Sequence, residues 1–136
     1  MATKSKNKTN KKSVKNHRLV INRKTWLHGE GHCNSDMLRS SDGKMCCLGF
    51  YCVSLGIPKR TIKDKSSPGE LDSRFYDKLN RLLRPTTGFE NLICERLISI
   101  NDSVEKSDKL REKQLVNTFK KINVDVKFVN KYDTKP

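Results

Sequence analysis

Acidic residues are missing from the first 24 positions, although the chain holds 15 of them. The same segment carries nine of the 29 Lys and Arg residues (Lys4, Lys6, Lys8, Lys11, Lys12, Lys15, Arg18, Arg23 and Lys24). Of the formal net charge of +14, only +5 is left for residues 25–136. Long apolar runs are missing too. The first apolar cluster, "LVI" at 19–21, is far shorter than the roughly 7–15 residues of a secretory core. No stretch approaches the roughly 20 apolar residues of a membrane helix. A soluble, intracellular protein with no membrane partner is expected. In that compartment thiols stay reduced, and five cysteines is an odd number for a full disulfide framework.

Other absences narrow the chemistry. There is no Gly-x-x-x-x-Gly-Lys and no Gly-x-Gly-x-x-Gly, so neither phosphate loop is present. There is no Cys-x-x-Cys, and the Asp and Glu residues form no evident acid–base pair. Apolar residues make up 34% of the chain, which allows one small domain with a modest core.

What is present is charge. A chain this basic is attracted to polyanions, which makes nucleic acid, an anionic membrane surface and an acidic protein the three candidates. Residues 1–17, rich in Lys, Asn, Ser and Thr, cannot bury enough apolar area to offset their ordering entropy. They are expected to form a disordered basic arm, followed by a single domain over 18–130 and a polar tail over 131–136.

Within the domain, residues 18–28 read as a short helix or an extended piece. Asp42-Gly43 is a favoured hairpin turn, predicting pairing of 37–40 with 44–47. "CLGFYCVSL", from Cys47 to Leu55, is apolar nearly all round, as a buried helix is, and Gly56-Ile57-Pro58 stops it. Phe75, Tyr76, Leu79, Leu82 and Leu83 predict a helix over 72–83, which would carry Arg74, Lys78 and Arg81 on its opposite face. Further helices are predicted over 89–100 and 107–121, the second with an apolar stripe of Leu115, Val116, Phe119 and Ile122. Val124, Val126 and Phe128 alternate with polar residues as in a half-buried strand. The fold class expected is α+β, with three to four helices packed on a small antiparallel sheet.

Cys46, Cys47 and Cys52 raise the question of chemistry. A thiolate needs a helix N-terminus or a nearby His. The string "GKMCCLGFYCVSLGIP" at 43–58 resembles the cysteine-bearing helix start of papain-like peptidases of the NlpC/P60 type. Those enzymes place their His after the Cys, whereas His17, His28 and His32 all precede it. Zinc would need about four ligands, and the spacings of His28, His32, Cys33, Cys46, Cys47 and Cys52 do not supply a recognised set. Packing is the simplest role for an intracellular Cys, and Cys94 fits it as well. No catalytic residue, metal site or cofactor is assigned.

The nucleic-acid contacts expected are therefore the arm and its continuation (Lys4, Lys6, Lys8, Lys11, Lys12, Lys15, Arg18, Arg23, Lys24) and the face Arg74, Lys78 and Arg81. The 107–121 helix adds Lys109, Arg111, Lys113, Lys120 and Lys121, diluted by Asp108 and Glu112. Helices 72–83 and 89–100 do not make a helix-turn-helix, because the second is too apolar to read bases.

The strings "TWLHGE", "GKMCCLGFYC", "IND", "KLREKQLVNTFKKI" and "VDVKFV", spread over about 100 residues, resemble a family of small bacteriophage-encoded proteins of uncharacterised function, with Cys-Cys-Leu-Gly as the most specific motif. The resemblance implies an accessory protein acting in a bacterial cytoplasm. Two functions follow as expectations: non-enzymatic binding of nucleic acid, double-stranded DNA first, through phosphates; or binding and modulation of a host enzyme. A cysteine-dependent enzyme is a third reading.

Overall fold

A computed structural model describes residues 16–31, 36–79 and 92–131. The expected helix 72–83 falls partly outside these ranges, as do Arg81, residues 1–15 and most of the expected polar tail. The described elements are β1 (His17–Asn22), α1 (Cys47–Ser54), a one-turn α2 (Lys59–Ile62), α3 (Leu92–Asp102), α4 (Asp108–Lys120) and β2 (Val124–Val129), with three short 3-10 turns at Arg23–Thr25, Pro68–Glu70 and Ser73–Lys78.

The expectation of an antiparallel sheet is overturned. β1 and β2 pair in parallel, from His17 opposite Val124 to Asn22 opposite Val129. Nearly the whole domain is the crossover between them, as parallel pairing requires. Leu19, Ile21 and Val124 face the core and are buried, with Val126 and Phe128 packed against it; Arg18, Val20, Asp125 and Lys127 are exposed.

The predicted hairpin does not form a ladder. Arg39 N–H donates to Lys44 C=O at 2.8 Å and Gly43 N–H to Arg39 C=O at 2.7 Å, so the chain does turn there. Gly43 takes φ +75° while Asp42 stays at negative φ, whereas the favoured hairpin turn needs positive φ at both. The flanks then separate. Met45 exchanges hydrogen bonds with Thr25 and Leu27, and Leu38 bridges Lys63. Met45, Cys46, Cys47 and Leu48 are all buried in succession, a pattern without the alternation that a two-faced strand needs.

α1 is enclosed as its composition implies, with Cys47, Leu48, Gly49, Tyr51 and Cys52 buried, and it ends at Leu55 before Gly56 at φ +91°. The expected helix from residue 72 is instead a 3-10 segment, Ser73–Lys78. Asp72 caps it by accepting from Arg74 N–H, and Leu79 leaves in an extended conformation. α4 matches its prediction closely: Ser107 caps it by accepting from Leu110 N–H at 3.2 Å, Leu115, Phe119 and Ile122 are buried, and Leu110 is exposed.

Asn101, at the end of α3, ties these elements together. Its Oδ1 accepts from Trp26 Nε1 at 2.9 Å and from Cys47 N–H at 3.1 Å. Its Nδ2 donates to Leu27 C=O and Asp102 Oδ1, both at 3.0 Å. One buried side chain thus satisfies an indole and an otherwise orphaned N–H of the first turn of α1. Arg111, also buried, closes the other side. Its guanidinium donates to the carbonyls of Ile100, Ser103 and Lys106, satisfying the C-terminal end of α3, where a cation is favoured.

Candidate nucleic-acid interface

α4 packs on β2 and α3 through Arg111, Leu115, Thr118 and Phe119. The opposite face carries Lys109, Lys113, Asn117 and Lys120, all exposed. These lie at i, i+4, i+8 and i+11, a stripe about 16 Å long at 1.5 Å per residue. Lys121 extends it beyond the helix and is also exposed.

The acids that dilute this helix in the sequence do not dilute this face. Glu112 is turned toward the sheet and clamped by Arg23, which donates from Nε at 2.7 Å and from Nη2 at 2.8 Å. Asp108 lies beside the helix start, with His28 Nε2 at 3.3 Å and Arg111 Nη2 at 3.8 Å. His28 stacks on Trp26 with ring centroids 3.9 Å apart, and its Nδ1 lies 3.0 Å from Trp26 C=O. Burial lowers the pKa of this imidazole, against the opposing pull of the Trp26 carbonyl and the Asp108 carboxylate. Glu112 is therefore engaged off the lysine face, and Asp108, itself exposed, lies at the helix start beside His28 and Arg111.

Two concavities flank it. On the sheet side, Arg23, Lys109, Glu112 and Lys131 line a hollow of about 330 Å³. On the other side, a groove of about 740 Å³ runs between α3 and α4, with Arg96, Lys106 and Lys121 along it.

The residues expected from sequence are distributed differently. Arg18 and Lys24 are exposed on and after β1. Arg23 is committed to Glu112 and to Asn130 C=O, and lies over the Phe128 ring. Arg74 and Lys78 are exposed, but the 3-10 geometry separates them by about 120° around the axis, so they form no stripe. Arg74 lies over the Phe75 ring. Lys4, Lys6, Lys8, Lys11, Lys12, Lys15 and Arg81 lie outside the described residues. The sequence does carry the signal for the lysine face: Lys109, Lys113 and Lys120 oppose Leu115 and Phe119 on a helical projection.

The four described cysteines sit in the core. Cys46, Cys47, Cys52 and Cys94 are buried free thiols. Burial pushes Cys46 and Cys52 up to about 12 and Cys94 up to about 11, and it raises Cys47 well above the ordinary thiol value. The Leu48 and Gly49 N–H groups at the start of α1 oppose this at Cys46 without overcoming it. The void beside Cys46 and Cys47 is about 10 Å³, about the space of one water probe. Iodoacetamide at pH 8 should therefore leave these four cysteines unmodified in the folded protein and label them in urea, as read by peptide mapping. Rapid native labelling of Cys46 or Cys47 would contradict the packing role.

Among the described residues no cluster of His, Cys, Asp and Glu could hold a metal, and no helix is long and apolar enough to cross a membrane. No family model, curated protein or solved structure matches the chain.

Proposed function

We propose that this protein is a non-enzymatic, phage-encoded accessory protein that binds nucleic acid in the bacterial cytoplasm, holding the phosphate backbone on the lysine face of α4. The observation that carries the reading is the separation of charge on that helix. Lys109, Lys113 and Lys120 share one exposed face, while Glu112 is drawn aside and Asp108 lies at the helix start. Lysines one to two turns apart suit a row of phosphates. Such contacts fix position without reading sequence, so sequence preference is weak. Residues 1–15 add six lysines and no acid, and their contribution is electrostatic.

The salt dependence of duplex binding tests this. The slope of log affinity against log salt should grow by about 0.9 for each phosphate neutralised. The full chain is expected to show a steep slope, and a chain lacking residues 1–15 a shallower one that stays clearly above zero. The deletion stops short of His17, whose N–H donates to Asn123 C=O within the fold. Absence of binding at low salt would overturn the reading.

A further inference from the structure

The groove between α3 and α4 has features that the lysine face lacks. Its volume of about 740 Å³ lies within the roughly 300–1,000 Å³ of ligand sites. Among the described residues, Arg96, Lys106 and Lys121 border it together with one acid, Glu95. Ser99, Asn117 and Thr118 line it with hydroxyl and amide groups, which can pair with base edges. Gln114, also in the lining, has a buried Oε1 with no hydrogen-bond partner. A buried acceptor left unpaired is costly, and rotation of the carboxamide toward the groove relieves it once a ligand N–H is there. Asn117 and Lys121 belong to the groove wall and to the exposed side of α4 alike, so a strand lying on the lysines leads directly into the groove.

We infer that the groove takes unpaired nucleotides of a single strand, with phosphates on Arg96, Lys106 and Lys121 and a base N–H on Gln114. This rests on the nucleic-acid reading above and sharpens its ligand from duplex to single strand. A positively charged groove that tracks one backbone is the common device for single strands. Among the described residues lining the groove none is aromatic, and these residues offer edge contacts to bases rather than stacking.

The experiment is fluorescence anisotropy of the full chain with a labelled single-stranded 12-mer and with its duplex at one salt concentration. The strand should bind at least about fivefold more tightly, the scale of one hydrogen bond to a buried group. Arg96→Glu, at an exposed position, should remove that preference, with a clearly larger loss of affinity for the strand than for the duplex. Gln114→Leu, which deletes the unpaired acceptor and should not harm the fold, should weaken the strand alone. Equal binding of strand and duplex, or equal losses for both in Arg96→Glu, would overturn the inference while leaving the lysine face standing. Failure of both ligands to bind would overturn the nucleic-acid reading itself. Displacement of the strand by micromolar cytidine monophosphate would assign the groove to a free nucleotide and overturn the strand form.

Discussion

Gly49→Ala is expected to lower stability by more than about 3 kcal/mol, the range of strongly overpacked cores, and to leave little folded protein. Gly49 is the third residue of α1 and buried. A Cβ built there would lie 1.8 Å from the Met37 carbonyl oxygen and 2.7 Å from its carbon, with the Met45 Cβ at 3.0 Å. The obstacle is backbone, which cannot swing away as a side-chain tip can. Ala normally gains about 1 kcal/mol over Gly inside a helix, so propensity alone would favour the change. Packing reverses the sign, because residues 36–38 cross directly over α1 at this point. Gly43→Ala is the control. Nothing lies within 4 Å of a Cβ there, but φ is +75°, so the cost should be only about 1–2 kcal/mol from left-handed strain. Urea melts of the two variants separate these causes. A Gly49→Ala protein as stable as the parent would mean that the Met37 carbonyl does not press on α1 at Gly49.

Asn101→Leu, which keeps the volume and removes the polar atoms, is expected to cost about 3–5 kcal/mol, as breaking a buried network does. The Trp26 indole N–H and the Cys47 N–H would be deprived of their acceptor, and the Leu27 carbonyl and Asp102 carboxylate of a donor. None of these groups can turn to solvent, since Trp26, Leu27, Cys47 and Asp102 are all buried. Against a typical total of about 5–15 kcal/mol, the loss is large. The readout is the urea midpoint at unchanged m-value, together with the Trp26 fluorescence maximum, since Trp26 is the one tryptophan of the chain. A shift of the midpoint by less than about 1 kcal/mol equivalent would contradict the hub role.

The parts of this fold that local pattern determines could be read from sequence. α1 is apolar on all sides and buried, α4 buries Leu115, Phe119 and Ile122 of its expected stripe, and β2 alternates. The parts set by distant partners could not. Nothing local to residues 17–22 says that they pair in parallel with 124–129, at the other end of the domain. Asp42-Gly43 signals a turn, and a turn forms, but the flanks find Thr25, Leu27 and Lys63 instead of each other. The apolar spacing over 72–83 suits a helix, yet the described part is a 3-10 segment ending at Lys78. Arg111 reads as one more surface cation, whereas its place four residues before Leu115 puts it on the buried stripe, over the end of α3.

The candidate interface shows the same limit. Net charge directs attention to basic segments, but acids counted along a helix are not acids on one face. Asp108 and Glu112 dilute the last helix on a count of charges, whereas in the fold Arg23, from the far side of the sequence, clamps Glu112, and Asp108 sits at the helix start beside His28 and Arg111. The sequence thus favoured the face of Arg74, Lys78 and Arg81 over the lysine row of α4, whereas the described 3-10 segment sets Arg74 and Lys78 about 120° apart.

The most direct test of the interface is duplex binding by the triple variant Lys109→Gln, Lys113→Gln and Lys120→Gln, compared with the parent chain across a salt series. All three side chains are exposed, so the fold should be unaffected, which circular dichroism and the urea midpoint would check. If α4 holds the phosphates, the slope of log affinity against log salt should fall by about 2–3, at about 0.9 for each phosphate no longer neutralised, with a matching loss of affinity at low salt. An unchanged slope in a folded variant would remove α4 from the interface and contradict the proposed binding mode.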